Sequence, residues 1–278
     1  MKKRSKSGIG LAPALLAAGL ALGLPAAAIE TLDNTTQERS SDMQNKTIGD
    51  IVAADFRTAA VFSKHGIDFC CGGKVPFAEA CRSKGLDPVV LAQELAAAQA
   101  TPVERTQNYG AWTPSFLADY IVNVHHAYLH ENTGMILAYC HKIAQVHGSH
   151  HPEVAKIDAL FARVAEDLER HLADEEKVFF PALKRVEAAR QAGTPPAPAD
   201  LETVRKELAQ LGHEHDAVGE ALHEIRRLSS NYTLPADACN TFKVTYQKLQ
   251  EFEDDLHKHV HLENNILFPK VGKSLAGS

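Results

Sequence analysis

The feature that most constrains this chain is an eleven-residue pattern that occurs twice. His171 to Pro181 reads HLADEEKVFFP, and His259 to Pro269 reads HVHLENNILFP. Each copy has a histidine, a glutamate four residues on, an apolar pair, and a proline six residues past the glutamate. On an α-helix, residues i and i+4 project from one face, one turn apart. His171 with Glu175, and His259 with Glu263, can therefore each offer an imidazole nitrogen and a carboxylate oxygen to one point in space. Two such points side by side make a binuclear metal site. A single His/Glu pair at this spacing is common on exposed helix faces. Its repetition with the same Phe-Pro ending raises it above that background.

The remaining ligands must come from elsewhere, and the helical pattern says where. Thr113-Pro114 opens a helix running to about His147, with an inward stripe of Phe116, Leu117, Ile121, Val124 and Leu129. His151-Pro152 opens a second, through Leu160, Val164, Leu168, His171 and Val178, which Pro181 should kink or tighten before it ends near Ala192. After the loop Gly193–Pro198, a third helix covers roughly Leu201 to Leu228. A loop containing Pro235 leads to a fourth, from about Ala236 to Val260 and beyond. No β pattern of any length competes. The fold class is all-α: an antiparallel four-helix bundle over 114–272.

A metal site in a bundle core draws on all four helices. The first carries His125-His126 and the third His213-Glu214-His215-Asp216. His126 lies five residues after Ile121, and His215 four after Leu211, which favours these two while periodicity leaves His125 and His213 open. The set is then His126, His171, Glu175, His215, His259 and Glu263. Zinc in structural sites favours cysteine-rich tetrahedra, and magnesium or calcium favours all-oxygen shells. Four imidazoles with two carboxylates able to bridge, and room for a solvent bridge, suit a pair of iron ions with open positions for oxygen or nitric oxide, with manganese the remaining alternative. Of the 15 histidines, His130, His141, His223, His257 and His261 read as surface residues.

Ahead of the bundle, Thr47-Ile48-Gly49-Asp50 has the form of a capping box, followed by helical spacing up to Gly66. The turn Gly66-Ile67-Asp68-Phe69-Cys70-Cys71-Gly72-Gly73 leads to a short helix near Phe77–Ser83, and Asp87-Pro88 opens another to about Ala98. Residues 46–98 thus form a small helical domain, with 99–113 a linker. Adjacent cysteines rarely pair with each other without strain. In a glycine-bounded turn, Cys70 and Cys71 read as exposed thiols of lowered pKa, able to bind metal or exchange electrons. Cys81, Cys140 and Cys239 read as buried thiols.

Five cysteines at irregular spacing do not form a disulfide framework, which points to a reducing compartment. A formal charge of −6 argues against a nucleic-acid partner. Residues 1–45 pull the other way on location. Four basic residues, an apolar run from Ile9 to Leu24 and Ala26-Ala27-Ala28 have the layout of a secretory signal peptide. The alternative is initiation at Met43.

Together these residues resemble the RIC family (repair of iron centres, the YtfE/ScdA/DnrN type). The Thr47–Asp50 and Gly66–Gly73 segments resemble its N-terminal domain, and Glu214-His215-Asp216 with His259–Pro269 its hemerythrin-like domain. The likeness covers about residues 46–272. It implies a non-haem di-iron centre, oxo- and carboxylate-bridged, with His126, His171, His215 and His259 as ligands and Glu175 and Glu263 bridging. It also implies a further histidine near the site at the position of His147, and a role for Cys70 and Cys71. The implied function is repair of iron–sulfur clusters damaged by nitrosative or oxidative stress, by supplying or mobilising iron, rather than conventional enzymatic turnover. Its partners would be damaged iron–sulfur proteins. The alternatives are reduction of nitric oxide to nitrous oxide at the di-iron centre, or simple capture of nitric oxide or oxygen, for which a Cys-Cys unit has no use. The family implies a cytoplasmic location, against the periplasmic one that a functional signal peptide would require. A homodimer laying the Cys-Cys unit of one chain on the bundle of another is compatible with the sequence.

Overall fold

The computed structural model describes Met43, residues 46–100 and residues 108–276. The signal-like stretch, the residues between it and Met43, and the middle of the linker lie outside the described residues. Among the described residues the chain is helical, with one isolated bridge between Thr47 and Pro76 in place of any strand.

Thr47 opens α1 (Ile48–Ala54) through the predicted capping box. Its hydroxyl accepts from the Asp50 amide at 3.1 Å, and the Asp50 carboxylate accepts from the Thr47 amide at 3.4 Å. The single helix expected up to Gly66 is interrupted. Asp55 is extended, at φ −156°, and its carboxylate accepts from the Arg57 amide to begin a 3-10 turn over Phe56–Thr58. Aspartate side chains compete with the helix for nearby amides in this way. Then come α2 (Ala59–Lys64), the Cys-Cys turn, α3 (Phe77–Lys84) and α4 (Pro88–Gln99). The last is started by Asp87 accepting from the Val89 amide at 2.8 Å.

The first arm of the bundle is α5 (Pro114–Tyr120), a π turn (Ile121–His126) and α6 (Ala127–His147). The second is α7 (Pro152–Asp174), a π turn (Glu175–Phe179) and α8 (Phe180–Gln191). The third is the uninterrupted α9 (Pro198–Leu228). The fourth is α10 (Asn240–His261), a π turn (Leu262–Leu267) and α11 (Phe268–Ala276). This last arm begins four residues later than its pattern predicts. The sulfur of Cys239 caps it, accepting from the Phe242 amide at 3.5 Å. Cys239 is consequently exposed rather than buried, while Cys81 and Cys140 are buried as expected.

The arms alternate in direction. At one end His147 and His151 pack edge-on against Phe242, at ring separations of 5.3 and 5.6 Å. Near the other, His126, His171, His215 and His259 converge. His147 therefore lies the whole length of α6 from His126, about 30 Å at 1.5 Å per residue, and does not stand near the site as the family likeness implied. Its Nε2 faces the Cys239 sulfur at 3.1 Å instead.

The apolar core is split into two clusters. One joins Leu129, Ile136, Phe161, Leu168, Leu222 and Phe252 to the core of the N-terminal unit, including Ile48, Phe62 and Phe77. The other holds Leu117, Ile121, Phe179, Phe180, Leu211 and Leu267. Along every arm, the histidines and glutamates of the twin motif and its partners fall between the two. A polar layer thus crosses an otherwise apolar bundle.

Among the described residues, no helix is long and apolar enough to cross a membrane.

Cys140 sits in the first cluster, where burial, and secondarily the nearby Asp158, push its thiol from 9.0 to about 12. The folded chain holds this proton after the unfolded chain has lost it. Its stabilising contribution is full below about pH 9 and lost as pH rises towards 12, up to about 4 kcal/mol. Denaturant melts across that range should show wild type losing more stability than Cys140→Ala. Parallel curves for the two would remove Cys140 as a cause.

Candidate metal centre

The twin motif folds as its spacing requires. His171 and His259 lie in the last turns of α7 and α10, and Glu175 and Glu263 in the π turns that follow. The prolines six residues past each glutamate explain the widened turns. A proline offers no amide hydrogen and its ring crowds the carbonyl four residues back, and a π turn relieves both. The chain therefore widens before Pro181 rather than tightening. The first arm has a π turn without a proline, and nothing local to its sequence accounts for it.

All six predicted residues are brought together and buried. His126, His259, Glu175 and Glu263 present ligand atoms within 4.8 Å of one another, and so do His171, His215 and the same two glutamates. Both glutamates belong to both groups, so each carboxylate lies between the two histidine pairs. The Nε2 atoms face each other in pairs, His126 with His259 at 3.3 Å and His171 with His215 at 3.1 Å. Glu175 Oε2 lies 3.3 Å from His126 Nε2 and 3.5 Å from His171 Nε2. Glu263 lies 3.2 Å from His215 Nε2 and 3.1 Å from His259 Nε2.

Outward-facing nitrogens decide which way the rings point. His126 Nδ1 meets Glu176 Oε1 at 2.9 Å, His171 Nδ1 meets Glu214 Oε2 at 2.8 Å, and His215 Nδ1 meets Asn264 Oδ1 at 2.9 Å. Each acceptor takes the Nδ1 proton and leaves the Nε2 lone pair aimed inward, the arrangement common to ligating histidines. The bond from His171 also holds the Glu214 carboxyl down to about 2, against the burial that would raise it. Glu176, Glu214 and Asn264 were not singled out from sequence. Their signal is adjacency, since each directly follows or precedes a ligand and so reaches the next helix.

The donor set fits metal. All four carboxylate oxygens of Glu175 and Glu263 are buried and without a hydrogen-bond partner. Leaving such atoms unpaired costs several kcal/mol per ionised group unless a cation compensates. Burial pushes the Glu175 carboxyl up, and the charge of Glu263 adds to the push. Although burial alone would lower them, the neighbouring glutamates raise the pKa of His126 and His215. A proton and a cation would compete for the same inward nitrogens. Metal entry must displace protons, and affinity falls as pH drops.

Several sequence expectations fail here. Val124 and Val178, assigned inward on a 3.6-residue period, are 42% and 39% exposed because each lies in a π turn, which shifts the phase. Phe116 is exposed too. Both His125 and His126 are consequently buried. His125 turns to Asp255 at 3.0 Å and stacks on His259. His213 is exposed and not in the bundle site. His130, His141 and His223 are on the surface, but His261 is fully buried and His257 partly so, both against the N-terminal unit. That docked unit is what their surface assignment lacked.

Asn265, next to Asn264, performs the docking. Its amide donates to the Phe69 carbonyl at 3.1 Å and approaches the Cys70 carbonyl at 3.4 Å. It lies so close to Gly49 and Gly73 that a Cβ there would fall 2.2 and 2.5 Å from its Oδ1. The Cys-Cys turn is thereby pressed onto the bundle. Cys70 is buried and its pKa raised, by the hydrogen bond with Cys71 first and burial second, and not lowered as expected from the sequence.

Two consequences are measurable. Asn264→Ala and Glu214→Ala should each lower metal affinity by about 10–100-fold in chelator competition, the range for removing a partner of a ligating imidazole. Unchanged affinity would show that these groups do not orient the rings. Asn265→Ala should retain its metal while amide exchange quickens across residues 66–74, and equal exchange rates would count against the clamp.

Two family models match the chain: ScdA_N, described as a domain of unknown function (DUF542), over residues 44–99, and the hemerythrin HHE cation binding domain over residues 118–271. The chain is 32% identical to the iron-sulfur cluster repair protein YtfE of Musicola paradisiaca, across 82% of this chain and 96% of that protein. Identity is again 32% to the iron-sulfur cluster repair protein ScdA of Staphylococcus epidermidis, across 81% and 96% of the two chains. To YtfE of Yersinia pestis it is 30%, across 83% and 98%. With its buried His/Glu site between four helices, the chain belongs to the YtfE/ScdA family, an ScdA-type N-terminal unit joined to a hemerythrin cation-binding domain.

Proposed function

We propose that the polar layer of the bundle holds two non-haem iron ions and that the protein uses them to repair damaged iron–sulfur clusters. His126 and His259 would serve one ion, His171 and His215 the other, with Glu175 and Glu263 bridging both. The observation that carries this reading is the pair of buried glutamates with four unpartnered oxygens between four inward imidazole nitrogens. A nitrogen–oxygen donor set without sulfur suits iron better than structural zinc. The names of the relatives supply the biological direction, iron–sulfur cluster repair.

When bound, ferrous ions would supply the iron that a damaged cluster has lost. The chain's own part is to hold that iron without trapping it. Glu214, Glu176 and Asn264 fix three imidazoles, while neither glutamate receives a hydrogen bond that would lock its carboxylate in one pose. A proton taken up by an inward imidazole nitrogen would compete with the metal for the same lone pair. Damaged clusters and reduced thiols coexist in the cytoplasm, which is the location this reading carries.

The purified chain should contain two irons, and a nitrosylated iron–sulfur hydratase should regain activity when mixed with it. His126→Leu and Glu175→Leu should each lose iron and rescue together. One zinc per chain, or rescue undiminished in both variants, would sink the proposal.

A further inference from the structure

The Cys-Cys turn carries a separate set of ligand atoms. Asp68, Cys70 and Cys71 present a carboxylate oxygen and two sulfurs within 4.8 Å of one another. The sulfurs are 3.9 Å apart, and Cys70 Sγ is 3.1 Å from Asp68 Oδ1. A tetrahedral ion with sulfur at 2.3 Å separates two sulfurs by about 3.8 Å. The pair is therefore spaced as the two thiolates of a chelate rather than as a disulfide.

The two cysteines of this set also border a cavity of about 310 Å³, with Lys74 beside them and His213, Asp216 and Asn265 across it. His213, which has no place in the bundle site, thus faces the same space as the thiols. The turn itself is held firmly. The Asp68 carboxylate accepts from the Cys70 amide at 2.8 Å, Asn265 binds the carbonyls of Phe69 and Cys70, and Cys71 Sγ donates to the His215 carbonyl at 3.3 Å. Gly219 on α9 makes the approach possible, since a Cβ there would lie 2.9 Å from the Cys71 sulfur.

We propose that Asp68, Cys70 and Cys71 form a second, mononuclear site for a thiolate-preferring divalent metal ion, reached from this cavity through the two cysteines. Binding converts the two thiols to thiolates and releases their two protons to solvent, and no electron is transferred. The ion would sit on the outer side of α9, one backbone carbonyl away from the ligand His215. An ion entering or leaving the bundle centre would thus have a thiolate stopping point beside it. The site itself does not depend on the bundle holding iron.

Cobalt(II) is the probe, added without oxygen to the reduced full chain whose bundle centre has first been loaded with iron. The expected result is one cobalt per chain with a sulfur-to-cobalt charge-transfer band, which a bundle site without sulfur cannot produce. Cys70→Ser/Cys71→Ser should abolish the band while keeping its iron and helical circular dichroism. Asp68→Asn should weaken cobalt binding about tenfold or more, and Gly219→Ala, which touches the site only through the Cys71 sulfur, should weaken it similarly. Absence of the band in wild type, or its persistence in Cys70→Ser/Cys71→Ser, overturns the proposal. Failure of the iron reading is seen separately, as absence of iron from the bundle while the band is retained.

Discussion

Two carboxylates buried side by side organise this molecule. Glu175 and Glu263 lie fully inside an apolar bundle, and neither has a hydrogen-bond donor for any of its oxygens. Such a pair is strongly unfavourable alone, because taking charge out of water costs several kcal/mol per ion and like charges repel. Everything in the layer around them answers that cost. Four imidazoles from four arms surround the pair, and acceptors on neighbouring helices turn three of those rings inward. The apolar clusters on both sides exclude the water that would otherwise solvate the carboxylates.

The π turns are the backbone's share of the same solution. Three of the four arms widen by one residue within the polar layer, and α9, which contributes His215, does not. An inserted residue lets consecutive or nearly consecutive side chains face inward where a regular α-helix would rotate one away. That is how His125 and His126 are both buried. In two arms the following proline makes the widening locally favourable, so the motif encodes its own distortion.

The two neighbouring asparagines tie the layer to the N-terminal unit. Asn264 orients His215, and Asn265 grips the carbonyls of the Cys-Cys turn. Because they are consecutive, a shift of the π turn that moved one would move the other. Cys71, bonded to the His215 carbonyl, closes the loop. The thiols and the bundle ligands are therefore parts of one packed structure.

The sequence by itself determined the helical class, the number of arms and four residues of the layer, His171, Glu175, His259 and Glu263, while periodicity left His125 and His213 open beside His126 and His215. It could do so because i,i+4 spacing and its repetition survive as a pattern in one dimension. The caps at Thr47, Asp87 and Thr113 were legible for the same reason, being local. Only the tertiary structure decided which neighbours turn the rings, and that the cysteines are pressed against α9 rather than free. It also decided that His261 is inside while His147 stands at the far end. Those facts depend on which helix lies opposite, and on a phase shift at each π turn that a fixed period of 3.6 residues cannot register. A repeating pattern names the face of a helix, but the partner across the interface determines what that face does.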